Sequence, residues 1–385
     1  MNRSWSTTLV MLYILGAGAA ACDRSPTEGE EPPPRPEPQE VFRFETFGNE
    51  TWWTDTLRLH EVIPEAVDPV TALAVGLKVD ADALPSGLLE GADLEDPATT
   101  VELLRHDAVV GLRGEVDEQG TLASVGITCA LCHSTVDDAV MPGVGSRLDG
   151  WPNLDLDAGL IVSLSPFFAD PASQEVLTSW GPGMFDPRFN IDGISDPVVI
   201  PPAYGLRDVP LETYTGDGPV SYWNAYVAVT QMRGHGRFED ERIGVSVEWV
   251  EDRVTPLLEP LLEYQLSLEA PAPPSGSYDE AAAVRGRTVF EAVGCVDCHA
   301  GTTLTDADNR LHRPEDTCMD PLLAERSATG MYRATPLRSL WQHPPYFHDG
   351  SAETLSDVVE HYEACLDLGL TMAEETDLIE YLRSL

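Results

Sequence analysis

Basic charge is what this chain lacks. Of 385 residues, 23 are Lys or Arg and 65 are Asp or Glu, a formal net charge of −42 with neutral histidines. Nothing basic is clustered to neutralise a phosphate backbone, which excludes nucleic acid as a partner. The acid reads first as a solvated coat, and it also suits steering of a basic partner. A long apolar run is missing too. The run from Leu9 to Ala21, behind Arg3, is too short and wrongly flanked for a membrane span; residues 1–21 have the form of a secretory signal. Hydrophobic residues still make up 43%, enough for a real core, and the length allows two or three domains.

Cysteine is scarce, and its seven copies divide without remainder. Four lie in two CxxCH motifs: Cys129-Ala130-Leu131-Cys132-His133 and Cys295-Val296-Asp297-Cys298-His299. This is the spacing of c-type haem attachment, in which Cys129/Cys132 and Cys295/Cys298 form thioethers while His133 and His299 ligate iron. One copy alone could be a redox dithiol or half of a zinc site; two copies behind an export signal point to two covalently bound haem c groups. Cys22 closes "GAGAAAC", which resembles a bacterial lipoprotein cleavage box, although Ala19 stands where a larger aliphatic residue is usual. A lipid anchor at Cys22 and a periplasmic or cell-envelope location follow as expectations. Cys318 and Cys365 remain, and in an oxidising compartment leftover cysteines pair.

In order, the chain reads as a signal (1–21), a Pro- and Glu-rich tether (22–40), an N-terminal haem domain with an extension (41–269), a linker (270–276) and a C-terminal cytochrome c domain (277–385). Residues 99–128 suggest a short helix and two strands turning at Glu118-Gln119-Gly120. His60 and His106 are left as structural. Gly-, Pro- and Asp-rich loops follow the first motif. Then comes a helix with Tyr222, Ala225, Tyr226, Val229 and Met232 on one face, and another over 249–268. Ser277 or Asp279 caps the helix before Cys295, and "TMAEETDLIEYLRSL" closes the chain as an amphipathic helix. A weak repeat sets Pro202–Gly216 against Pro336–Gly350, with Leu206 and Leu340 in register. The fold class is mainly α: two cytochrome c-type haem domains with an irregular, partly β N-terminal extension.

"GRTVF", "CVDCH", "YRATPLRSL" and "PYFHDGSAETL" resemble the bacterial dihaem cytochrome c peroxidase superfamily, which includes the dihaem enzyme that matures methylamine dehydrogenase. The resemblance is specific over 277–385 and looser over 120–235. It implies two mainly helical haem domains packed face to face, and Arg338 beside the haem propionates. On its own chemistry Arg338 suits either a buried anion or a surface ion pair. The peroxidases carry a catalytic glutamate on the helix after Gly216, but here Val220-Ser221-Tyr222-Trp223-Asn224-Ala225-Tyr226 has no carboxylate. The loop after His133 also lacks the histidine that peroxidases often place there.

Distal ligands are less legible. For the first haem Met232 is the candidate, with Met141, Met184 and His235 as alternatives and core filling as the ordinary role of such a methionine. For the second, the family ligand lies twelve positions after the "HDG" glycine, which lands on Tyr362. Thr354 and Asp357 form a capping box, and Leu355, Val358, Val359 and Tyr362 then share a stripe; His361 falls beside it and is the runner-up. The expected function is electron transfer with a redox protein partner, a basic cytochrome or a copper protein. The alternatives are a peroxidase-like or high-valent-iron oxidoreductase acting on peroxide or a partner protein, and a haem lipoprotein serving assembly or binding.

Overall fold

The computed structural model describes residues 35–385, so the signal, Cys22 and most of the tether lie outside the described residues. Regular structure starts at the helix Pro38–Phe44, inside the stretch expected to be tether. Pro38 suits a first turn, whose N–H has no helical partner. Val41 and Phe42, 2% and 0% exposed, anchor that turn to the core. The end of the expected tether is drawn into this helix by the two apolar positions that follow it.

Two larger apolar cores organise the chain, beside a small cluster of Val198, Leu323, Ala324 and Tyr332. One is built from residues between Val41 and Leu261, the other from residues between Phe290 and Leu382. In the second, the helices Glu280–Ala292 and Met372–Arg383 pack together, capped by Asp279 on Ala282 N–H and by Thr371 on Glu374 N–H. Phe290 meets Tyr381 at 5.2 Å between ring centroids. The first half repeats this pairing: the helix Pro38–Phe44 lies on Leu258–Ser267, with Phe42 against Tyr264 at 5.4 Å. The closing helices carry the same signature, "LLEYQLSL" from 261 and "LIEYLRSL" from 378.

The duplication extends through the repeat at 202–216 and 336–350. Gly205 and Ser339, Thr213 and Phe347, and Gly216 and Gly350 are three pairs in register, and all six residues have positive φ. Glu212 N–H bonds Gly218 carbonyl as Tyr346 N–H bonds Ala352 carbonyl; Gly205 N–H reaches Leu268 as Ser339 N–H reaches Leu385. The two copies then cross. Val199 N–H donates to His348 carbonyl at 2.8 Å, and Arg333 N–H donates to Tyr214 carbonyl at 2.9 Å. In the repeat's register 199 matches 333 and 214 matches 348, so the seam is two-fold related. The Pro-rich connection at 270–276 is tied to it: Pro271 carbonyl accepts from Ser339 Oγ at 2.6 Å and Trp341 Nε1 at 3.3 Å.

Helix makes up 41% and strand 12% of the structure, a mixed content rather than a mainly α one. The expected hairpin is present, Leu112–Val116 antiparallel to Leu122–Ile127, after the helix Pro97–Arg105. Strands are not confined to that extension. Ser134–Val136 pairs with Arg147–Asp149, Met184–Phe185 with Val198–Val199, and Arg237–Asp240 with Val245–Glu248. Loops rich in Gly, Pro and Asp cannot sustain helix, and they satisfy their backbone groups in short ladders instead. The helix expected over 249–268 is helical only from Thr255, because Asp252 takes the N–H groups of Val254 and Thr255 in a turn.

Candidate functional site

Both CxxCH motifs open into one continuous cavity of about 1210 Å³. That exceeds the roughly 300–1,000 Å³ of a single small-molecule pocket. His133 Nδ1 lies 3.0 Å from Pro201 carbonyl, and His299 Nδ1 lies 3.1 Å from Leu304 carbonyl, with the Thr335 backbone also against the His299 ring. A carbonyl only accepts, so each Nδ1 carries the proton and each Nε2 is left with its lone pair. Pro201 and Thr335 are equivalent positions, one residue before the two repeats begin. Burial pushes the His133 imidazole down to about 4 and lowers that of His299, so both stay neutral, the form that binds metal.

The four motif cysteines are free thiols, whereas Cys318 and Cys365 are joined in the expected disulfide. Burial pushes the Cys129 and Cys132 thiols up to about 12 and Cys295 up to about 11. A zinc site needs three or four protein ligands close together. Around the second motif Cys298, Asp306 and His312 offer ligand atoms within 4.8 Å of one another; among the described residues no such trio surrounds Cys129 and Cys132. In that trio Asp306 is already bonded by His312 Nε2 at 3.0 Å. What the two motifs share is a thiol pair, an imidazole with a free Nε2 and an apolar cavity, and these residues fit haem.

Several distal candidates reach the cavity and several do not. Met232 lines it, buried, with its carbonyl held by Trp53 Nε1 at 3.0 Å. The helix Val220–Tyr226 widens into a π turn over Val227–Gln231, and this turn sets the register of Met232. Met141 and Met184 are not in the lining, and Met141 is exposed. His235 stacks on Trp249 at 4.1 Å and contacts Thr51 Oγ1, away from the cavity. At the second motif Tyr362 lines the cavity and makes no hydrogen bond among the described residues. Burial, with the nearby Cys298 and Cys295, pushes its phenol up to about 12. His361 turns to Thr317 carbonyl at 3.0 Å. The Thr354–Asp357 capping box that orients this helix is present.

Arg338 lines the cavity without an ion pair among the described residues; its one hydrogen bond, 3.4 Å to Arg207 carbonyl, is weak. Its side chain runs across Gly205, where a Cβ would lie 3.2 Å from two of its atoms. The helix Val220–Tyr226 brings Asn224 to the lining and no carboxylate. His106 bonds Glu102 at 3.1 Å, and neither His60 nor His106 lines the cavity. The polar lining residues not singled out from sequence include Glu212, Arg333, Tyr204 and His343. Tyr204 hydroxyl lies 3.2 Å from His343 Nε2 and donates to Gln342 at 2.7 Å. Glu212 and Tyr204 lie in the first repeat and His343 in the second; the repeat was the available signal.

No family model and no curated protein matches the chain. Among solved structures it is similar to Kuenenia stuttgartiensis hydrazine synthase pressurised with 20 bar xenon, at 20% identity and a TM-score of 0.37, covering 49% of this chain and 73% of that one. It is also similar to a MauG-like protein associated with microbial copper homeostasis, at 19% identity and a TM-score of 0.27, covering 35% of this chain and 55% of that one. Both likenesses are remote.

Proposed function

We propose that the chain is an exported dihaem c-type cytochrome that relays electrons between redox partners. One observation carries this reading: two CxxCH motifs, each with Nδ1 on a backbone carbonyl and Nε2 free, face one apolar cavity. Cys129/Cys132 and Cys295/Cys298 attach the two groups, and His133 and His299 are the proximal ligands. When bound, each haem supplies a one-electron couple at its iron. Met232 and Tyr362 are the residues that would complete the coordination of bound haem, Arg338 would meet a propionate, and the apolar lining would keep water out. The partner is a redox protein, a basic cytochrome or copper protein steered by the acidic surface, and Cys22 carries a lipid anchor in the cell envelope. Intact mass after export tests attachment: the polypeptide gains two haem masses, and a gain of one or none overturns the reading. Cys22→Ser releases the protein from the membrane fraction; unchanged partitioning rejects the anchor.

A second reading, an oxidoreductase of peroxidase type acting on peroxide or a partner protein, draws on Tyr362. An anionic ligand there would favour the oxidised metal. Steady-state turnover with hydrogen peroxide separates the two. The helix Val220–Tyr226 offers no acid–base carboxylate, so turnover is expected to be weak or absent.

A further inference from the structure

The seam between the repeats holds an ion pair that the architecture does not need. Glu212 Oε2 accepts from Arg333 Nη1 at 2.9 Å, and the Arg333 and Glu212 side chains are 7% and 9% exposed, inside the cavity wall. The seam contains its own control. In the repeat's register Glu212 matches Tyr346 and Arg333 matches Val199. On that side of the two-fold the same crossing is built without charge, with the same main-chain bonds. Burying a charged pair costs desolvation that its attraction scarcely repays. Three polar atoms are also left over here: Glu212 Oε1, Thr213 Oγ1 and Arg333 Nε have no hydrogen-bond partner. Buried polar atoms without protein partners are where water or a mobile proton is accommodated.

We propose that Glu212 is the proton acceptor coupled to reduction of the haem pair, taking one proton at its carboxyl for one electron delivered to the cavity. This rests on the electron-transfer reading and deepens it. The donor is a one-electron redox partner, the iron goes from ferric to ferrous, and the proton comes from solvent and turns the Glu212 carboxylate into the neutral acid. Added negative charge in the cavity raises the proton affinity of a nearby carboxylate, so electron and proton enter together. The charged groups facing Glu212 are Arg333, from the strand-like segment before the second repeat, and Arg338, from within it; its own chain adds the Thr213 backbone N–H. Burial raises the carboxyl's affinity for a proton and the two arginines oppose it, with burial the larger effect.

The test is a redox titration of the holoprotein, followed by its visible spectrum, over roughly pH 5 to 8. Wild type is expected to show a midpoint potential that falls as pH rises, for at least one haem. Glu212→Gln should abolish that slope while leaving both attached haems and their spectra unchanged. Arg333→Gln removes the opposing charge and should move the window to higher pH, a tenfold or greater rise in proton affinity. Reduction of wild type should also produce the infrared carbonyl band of a protonated carboxylic acid. Reversible haem reduction with no pH dependence, a slope retained in Glu212→Gln, or no carboxylic-acid band overturns the proposal and leaves electron transfer standing. A holoprotein whose haems do not cycle removes both.

Discussion

Gly286 and Asp377 meet backbone to backbone: a Cβ on Gly286 would lie 1.8 Å from the Asp377 carbonyl oxygen. The first and last helices of the C-terminal half cross at this point, and Arg285 clamps the crossing by pairing with Asp377 at 2.6 Å. Neither backbone can yield as the tip of a long side chain could. Gly286→Ala is therefore expected to destabilise the fold by about 1–3 kcal/mol, at the upper end of overpacking effects. Val284, 72% exposed on the same helix, is the control. Val284→Ala should stay within about 0.5 kcal/mol, as surface substitutions do. Urea unfolding of the two variants measures the difference.

The Cys318–Cys365 disulfide joins residues 47 apart. It ties the segment before the second repeat to the helix Leu355–Leu366, which carries Tyr362. Replacing both cysteines with serine should lower stability by about 2–4 kcal/mol, mainly by freeing the unfolded chain. Urea midpoints of wild type with and without reductant should reproduce the loss, and the double variant should not respond to reductant.

His343 sets a pH dependence. Burial pushes its imidazole down from the ordinary 6.5 to about 4. The unfolded chain therefore binds the proton more tightly than the folded one. The contribution is complete above about pH 6.5, declines as pH falls toward about 4, and amounts to roughly 3 kcal/mol. Denaturation midpoints should fall through that window, and His343→Gln should flatten part of the fall.

Tyr362 and His361 are adjacent but face different surroundings, the cavity and the Thr317 carbonyl. Tyr362→Phe should change the optical and paramagnetic-resonance spectra of the second haem, while His361→Ala leaves them intact. The reverse pattern would make His361 the ligand.

Much of the site was legible because its determinants are local. Two cysteines and a histidine at fixed spacing need no tertiary context to be recognised, and neither do the Thr354–Asp357 box, the Asp279 cap or the turn at Gly120. The disulfide followed from arithmetic and compartment. The weak repeat at 202 and 336 was visible, but the shared closing signature at 261 and 378 was not, since the spacing between repeat and closing helix differs in the two halves. What only the tertiary structure decided is long-range. Val41 and Phe42 draw the end of the tether into a helix because a core lies beneath them. Loops after His133 become ladders because their backbone groups need partners. Met232 reaches the cavity, and Met141 and His235 do not, through a π turn and a stacking partner that periodicity cannot register. Glu212 meets Arg333 across 121 positions because the two copies of the repeat cross, and a crossing belongs to the packing of the chain, not to any stretch of it.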